Sequence, residues 1–596
     1  MINPECDGAS RPALHFLADD SDGRWEAISR REMWSQVIDA ACGLYELGVR
    51  PGDTVGILSE NRPEMVMTYF AAFYLRAKAV SMYATSSEDQ VRFIVTDASI
   101  SHIVVGSQPH YDKARLAGVP FVVAVSPDVK FDDCSAYADG SCESLRWSEL
   151  VERGRGASEQ VRAGAAALAA ASSPDDIATL IYTSGTTGEP KGAILTHSCF
   201  DAAFLAHADR FPEVCEGMNS MCFLPLSHIF EMAWSCFCLY RNVEVYVNRD
   251  PQRIQQSLRE VQPNAMCSVP RFWEKVYAGV TERIATYGWF KRALVSRALK
   301  VGRRRNLHYK HLGLPVPWLV EKRYQFYRSR VFNALRHVIG MENGRFFPTA
   351  GAPVAPEIVE FVKSVGINMI VGYGLSETTA TVSCFPHTDY LIGSVGTPLE
   401  GVDVKIGPDD EVLVKGPTVM RGYFNRPEAT AEAFTADGWF RTGDAGRINP
   451  DGSITLTDRI KDLFKTSNGK YIAPQAIETA LGGDPLFEQV AVIGDRHKFV
   501  SALIVPSRSH LRDLADKARV SYESEEELFT NPQVVALVQQ RIDRLMAGFA
   551  PYERIKRITL LVAPFTMESG ELTNTLKLRR RVVAEHYADL IAAMYR

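Results

Sequence analysis

The sequence predicts an α/β protein with a large N-terminal lobe of sheets layered with helices and a small α+β domain at the C-terminal end. Three features lead there. Short apolar strands alternate with helical periods over the first 130 residues, the strand–helix–strand spacing there implies a mostly parallel sheet, and the final 140 residues change to a hairpin followed by charged helices.

The elements follow in order. Ser29-Arg30-Arg31-Glu32 has the spacing of a capping box, in which Ser and Glu side chains satisfy free amides at a helix start. Met33, Trp34, Val37, Ile38, Ala41, Leu44 and Tyr45 then keep a helical period that Gly48 can close. Pro51-Gly52-Asp53 is a turn and Thr54–Leu58 a short buried strand. Pro63 starts the next helix, which ends near Arg76, and Ala79–Met82 is another strand. Strand, helix, strand at this spacing implies a mostly parallel sheet covered by helices, continued by His102–Val105 and Phe121–Val125. Residues 151–175, rich in Ala, Gly and Ser, read as a loose connection, and a mainly helical stretch runs from about Trp273 to Ile339. Gln489–Gly494 and Val500–Val505 read as a hairpin, and no internal repeat is visible.

Composition narrows the function. With 46% hydrophobic and 23% charged residues and a net charge of -5 over 596 residues, the chain is globular, not disordered, collagenous or coiled-coil. Nothing in that balance favours a nucleic-acid partner. The 11 cysteines include no CxxC pair, which argues against a metal ribbon or disulfide frame and for a reducing compartment. Cys236 and Cys238 would make a weak ligand pair, and a buried structural role is the simpler reading. The polar, acidic start Met1–Asp7 is no secretory signal, and the most apolar stretch, Met65–Met82, is interrupted by Arg76 and Lys78. The expectation is a cytoplasmic protein that can touch a membrane without crossing it.

The strongest signal is Tyr182-Thr183-Ser184-Gly185-Thr186-Thr187-Gly188-Glu189-Pro190-Lys191-Gly192, directly after an apolar run. Three Gly and four hydroxyl residues lie within ten positions. Such a loop lets backbone amides and hydroxyls wrap a phosphate chain, with a lysine to balance its charge. It is not the Walker pattern, because Lys191 is followed by Gly192 instead of Ser or Thr.

This loop resembles the phosphate loop of the adenylate-forming superfamily, which includes acyl-CoA synthetases, firefly-type luciferases and peptide-synthetase adenylation domains. Six further segments resemble that superfamily in the expected order. Leu224–Glu231 is similar to the motif whose histidine, here His228, sits beside the substrate carboxylate. Gly351-Ala352-Pro353 and Gly372-Tyr373-Gly374-Leu375-Ser376-Glu377-Thr378 resemble the adenine pocket. Gly438–Asp444 and Asp458–Asp462 resemble the ribose motifs, and Glu571–Lys577 the motif of the catalytic lysine.

The resemblance implies an adenylate-forming enzyme fold, with an adenylation domain at 1–457, a helical insertion at about 275–340, and a mobile domain at 458–596. It implies roles as well. Thr183, Ser184, Gly185, Thr186, Thr187, Gly188 and Lys191 would hold ATP phosphates, with Thr183 and Glu377 binding Mg²⁺, a hard cation suited to oxygen donors. Tyr373 would stack on adenine, Asp444 and Arg459 would take the ribose, and Lys577 would stabilise charge on the α-phosphate. Lys461 matches the hinge, Gly469 the coenzyme A tunnel, and Trp234 either lines an acyl channel or belongs to the core. Glu231 would support the His228 loop.

Asp458–Pro474, Cys267–Tyr277 and the helical insertion resemble the long-chain fatty acyl-CoA synthetase branch in particular. The implied activity is ligation of a fatty acid to coenzyme A with ATP and Mg²⁺. Alternatives are an acyl-AMP ligase that loads a carrier protein and a non-catalytic nucleotide or lipid sensor. Two departures stand out: Asn574 where proline is commoner, and Thr349-Ala350 before Gly351. From Lys291 to Arg305 there are seven Lys/Arg and no acid, with Phe290, Leu294, Ala298 and Val301 spaced to share a helical face. That suits a helix lying on anionic lipid, a solvated basic face, or one that meets coenzyme A phosphates.

Overall fold

A seven-stranded sheet forms the centre of the larger lobe. Its order is Glu143–Arg146, Phe121–Ala124, His102–Val105, Thr54–Leu58, Lys78–Met82, Ile177–Thr183 and Lys191–Thr196, parallel except for the last antiparallel pair. The protein was analysed as a computed structural model, which describes residues 9–17, 23–132, 142–183, 190–386, 390–467, 470–573 and 576–596. Thr54–Leu58 is buried along its whole length, as expected of a strand covered on both faces.

Around this sheet the chain builds further layers. Asn219–Cys222, Glu244–Val247, Pro12–Leu17 and Trp25–Ser29 form one sheet, and Phe347–Thr349, Met369–Tyr373, Ser383–Cys384 and Thr397–Pro398 another. Ala265, bridged to Ser220 and to Phe346, links the two, and Ser268 bridges to Thr349 of the second. An antiparallel meander follows, from Asp403–Ile406 through Glu411–Lys415 and Phe440–Ile448 to Ile454–Arg459. The C-terminal region pairs Phe487–Ile493 with Ser501–Pro506 as the expected hairpin and adds Arg557–Leu560 in parallel. Its two hydrophobic clusters draw only on residues from Phe464 onward, whereas the other three clusters lie wholly before that point.

The capping box at Ser29 forms as the sequence predicts and opens the helix Arg30–Glu46. Two other expectations are corrected. Residues 151–175 are not a loose connection, because Trp147–Arg155 and Glu159–Ala170 are helices. Their small residues serve close packing: a Cβ on Gly154 would stand 1.7 Å from the Asp39 carbonyl oxygen of the facing helix. Asp39, itself buried, pairs with Arg162 at 3.1 Å. The second correction concerns the basic helix, Trp289–Arg303. Val295, Ala298 and Gly302 are buried, and Gly302 lies against the carbonyl of Ser364 and the ring of Phe332. Ala298, Leu294 and Val301 belong to the protein's own core, not to a free lipid-facing stripe. Among the described residues no helix is long and apolar enough to cross a membrane, and nine cysteines, Cys236 and Cys238 included, are free thiols.

Candidate functional site

The site is assembled where the central sheet, the meander and the C-terminal region meet. In the meander, Asp444 lies opposite Arg459 on adjacent antiparallel strands. Arg459 Nε contacts Asp444 Oδ1 at 2.9 Å, and the Tyr373 hydroxyl donates to Oδ2 at 2.6 Å. The carboxylate is nearly buried, so both partners fix its direction. Asp444 in turn raises the Arg459 pKa. Burial first, then Asp444, pushes the Tyr373 phenol well above its usual range, which keeps it a neutral donor.

Glu377 lies in a single 3₁₀ turn, Ser376–Thr378, just past the strand Met369–Tyr373. Gly374 is required there because a Cβ would meet the Ala380 carbonyl oxygen at 1.8 Å. Thr379 and Ala380 follow in left-handed conformations, φ 49° and 75°, which turn the chain sharply after Glu377. Thr378 closes the turn by accepting from the Leu375 amide at 3.0 Å. Glu377 Oε1 accepts from the Tyr423 hydroxyl at 2.9 Å, and Lys191 Nζ stands 5.3 Å from the centre of the Tyr423 ring. Thr183 pairs with Lys191 across the last two strands of the central sheet. Thr183, Lys191, Tyr423 and Glu377 therefore form one continuous line. Ser184, Gly185, Thr186, Thr187 and Gly188 lie outside the described residues.

His228 caps the helix Ile229–Tyr240, and its Nδ1 accepts from the Phe230 amide at 3.1 Å. Burial, helped by Lys577, holds the imidazole pKa down to about 4. At neutral pH the ring is uncharged, and with Nδ1 accepting, its proton sits on Nε2. Two side chains hold the loop ahead of it. Asn61, from the far end of strand Thr54–Leu58, donates to the Leu224 carbonyl at 2.7 Å and accepts from the Leu226 amide at 2.8 Å. Glu231, fully buried, accepts from the Leu224 amide at 3.0 Å, Ser235 Oγ at 3.1 Å and Cys267 Sγ at 3.3 Å. Burial raises its pKa to about 7. Of these three bonds, the one to the Leu224 amide ties Glu231 to the segment ahead of His228. Asn61 is new and carries no motif.

The Lys577 amide donates to Thr573 Oγ1 at 3.0 Å. Lys577 is exposed to solvent. Crowding by the cleft, then Arg459, lowers its pKa, and Asp444, Asp462 and Glu377 oppose that. Lys577 therefore shares one electrostatic environment with His228, Glu377, Asp444 and Arg459. Gly351, Ala352 and Pro353 form an exposed loop after the strand Phe347–Thr349, with Gly351 at φ +95°. The unusual Thr349 is explained by packing: its hydroxyl takes the Trp273 indole N–H at 2.9 Å. Gly372 lies on the strand that carries Tyr373. Trp234 is buried against Phe237 and Phe346 and donates to Ser220 Oγ at 2.9 Å. Lys461 is exposed in the turn after Ile454–Arg459. Asp458 joins the two sides of that turn, accepting from the amides of Arg459 at 2.7 Å and Gln475 at 3.0 Å. Gly469 and Asn574 lie outside the described residues.

Residues 6–424 match the AMP-binding enzyme family, and residues 461–596 match the AMP-binding enzyme C-terminal domain. A protein named long-chain-fatty-acid–CoA ligase from Mycobacterium tuberculosis is 33% identical over 578 residues, covering 96% of this chain and 93% of its own. Long-chain-fatty-acid–CoA ligase 1 of Homo sapiens is 29% identical over 616 residues, covering 98% of this chain and 84% of its own. Among solved structures, the A-PCP didomain of a carboxylic acid reductase from Segniliparus rugosus, in complex with AMP, superposes with a TM-score of 0.73 at 21% identity. That match covers 98% of this chain and 80% of the didomain. ATP-bound MatB from Rhodopseudomonas palustris gives 0.68 at 21% identity, covering 99% of this chain and 98% of its own. At such identity the structural matches speak to the fold.

Proposed function

Because the chain belongs to the AMP-binding enzyme family, we propose that it joins a long-chain fatty acid to coenzyme A at the expense of ATP, through an acyl adenylate. One observation carries the reading: Asp444 is held by Arg459 at 2.9 Å and by Tyr373 at 2.6 Å, close enough to Lys577, from the far end of the chain, that their charges interact, as do those of Lys577 with Glu377 and His228. That is where a carboxylate, an α-phosphate and a ribose would have to meet. The near full-length similarity to proteins named long-chain-fatty-acid–CoA ligases supports the substrate class.

The chemistry follows from the charges. A carboxylate is a poor electrophile and its oxygen a poor leaving group, so the acid is first activated. Its oxygen attacks the α-phosphorus of ATP and pyrophosphate departs; two anions must approach, and cationic groups offset their repulsion. Lys577 stabilises the charge that grows on the α-phosphate, and Lys191 sits beside the phosphate chain. The neutral His228 offers Nε2–H to the carboxylate, orienting it without neutralising its nucleophilic charge. Asp444, held by Arg459 and Tyr373, accepts from ribose hydroxyls; Gly351, Ala352, Pro353, Gly372, Gly374 and Thr378 shape the adenine side. Glu377 and Thr183 present a carboxylate and a hydroxyl, hard oxygen donors that fit Mg²⁺. Bound there, the metal would screen the phosphate charges. In the second half-reaction the coenzyme A thiol loses its proton as sulfur attacks the acyl carbonyl, the acyl–phosphate bond breaks and AMP leaves.

We place the domain boundary at 457/458 and the pivot at Lys461, so that a rotation there withdraws Lys577 and brings Gly469 to the thiol's approach. Trp234 is the apolar wall behind the His228 loop, and the protein works in the cytoplasm. Incubation with palmitate and ATP, with and without coenzyme A, tests the proposal. Palmitoyl-CoA and AMP should appear only with coenzyme A present. Turnover with a carrier protein in its place, or none at all, would point to the carrier-loading or sensor alternatives.

A further inference from the structure

Of the 17 large apolar side chains exposed among the described residues, seven fall within positions 289–326. Five of these, Leu312, Leu314, Trp318, Leu319 and Phe326, are between 45 and 68% exposed and belong to a helical hairpin tip. The tip has a defined turn. The Leu314 amide donates to the Tyr309 carbonyl at 2.8 Å, Gly313 turns the chain at φ +64°, and Pro315 and Pro317 lead into the helix Trp318–Tyr327. That helix has two unlike faces. Val320 and Tyr324 are buried, and Arg305 stacks over Tyr324 at 4.0 Å. Trp318, Leu319, Lys322, Arg323 and Phe326 are all exposed.

Charge identifies what this face meets. Positions 310–330 carry five Lys/Arg and one acid, Glu321. Arg305 already engages that acid through two bonds, at 2.6 and 3.1 Å. Lys322 Nζ stands 4.9 Å from the centre of the Trp318 ring, an apolar body capped by a cation. Protein interfaces are depleted in lysine, whereas large apolar groups set among Lys and Arg match the headgroup boundary of an anionic bilayer.

We propose that the 312–326 hairpin tip is a docking surface for anionic membrane, with Leu312, Leu314, Trp318, Leu319 and Phe326 entering the headgroup layer while Lys322 and Arg323 meet lipid phosphates. The surface is distinct from the basic helix Trp289–Arg303, whose apolar side is buried, and it does not depend on the ligase reading. The test is vesicle sedimentation of the full chain, using phosphatidylcholine vesicles with and without one-quarter phosphatidylglycerol. The wild type should partition at least tenfold more strongly onto the anionic vesicles. W318E/L319E, K322E/R323E and the independent loop pair L312E/L314E should each weaken that partition at least tenfold with melting temperature unchanged; W289E/F290E, at the other exposed pair, should stay within twofold. Equal or absent wild-type binding to the two vesicles would overturn the proposal. So would retained binding in folded tip variants, loss in W289E/F290E instead, or a change of oligomeric mass in the tip variants, which would mark a contact between copies of this chain.

Discussion

Glu231→Gln isolates the cost of keeping a carboxyl buried under the His228 loop. Glu231 has no exposed surface, and burial lifts its pKa from 4.5 to about 7. A group whose folded pKa is raised contributes its full stability below the unfolded value, and that contribution is lost as pH rises through the folded value. Between pH 5 and pH 8 the wild type should therefore lose about 2.5 kcal/mol from this group alone. Glutamine keeps the shape: its oxygen can accept from the Leu224 amide while its NH₂ donates to Ser235 Oγ, a hydroxyl that can turn to accept. It has no proton to lose over this range. The stability advantage of the variant should grow with pH, which for a chain of this length amounts to about 2 °C in melting temperature. Calorimetric melting of both proteins at pH 5, 6, 7 and 8 measures it, because every other titrating group cancels in the difference. A difference that stays flat or shrinks toward pH 8 would refute the assignment of a buried carboxyl that ionises near neutrality.

Three further substitutions address the reaction. Lys577→Ala should slow adenylate formation by about 10²–10³ while leaving thioester formation from supplied acyl-AMP within a few-fold of wild type, measured as two single-turnover rates; equal loss in both would indicate a folding defect. Lys461→Pro fixes φ and restricts the preceding residue, so it should slow acyl-CoA formation from preformed adenylate far more than pyrophosphate release; a wild-type second rate in the folded variant would remove Lys461 as the pivot. Asn61→Ala frees the Leu224 carbonyl and the Leu226 amide at a cost of about 1–3 kcal/mol each, and should lower kcat/KM for the fatty acid about tenfold with KM for ATP unchanged. Equal effects on both substrates would show that Asn61 does not act through the His228 loop.

Much of the site was legible because its residues are tied to local motifs. Gly374 must be glycine at 1.8 Å from a carbonyl, and Asp444 and Arg459 face each other across one strand pair, so their chemistry is written in short segments. The supporting residues are not local. Asn61 lies 165 positions from the amide it holds, and Tyr423, which joins Lys191 to Glu377, sits in no recognisable pattern. Small residues misled in one place: Gly154 and Ala165 look flexible as a string, yet their size lets two helices approach closely. Periodicity misled in another. The apolar period of Trp289–Arg303 is real, but it points into the core. The exposed apolar face lies one helix later, and only the packing tells the two apart.

An acyl-adenylate route requires that the carboxylate attack phosphorus before sulfur attacks carbon. Palmitate labelled with ¹⁸O in both carboxyl oxygens decides it when turned over with ATP and coenzyme A and the products are weighed by mass spectrometry. One ¹⁸O should appear in AMP, one in palmitoyl-CoA and none in pyrophosphate. Unlabelled AMP, or label in pyrophosphate or inorganic phosphate, would contradict an acyl-adenylate route at the Lys577 cleft.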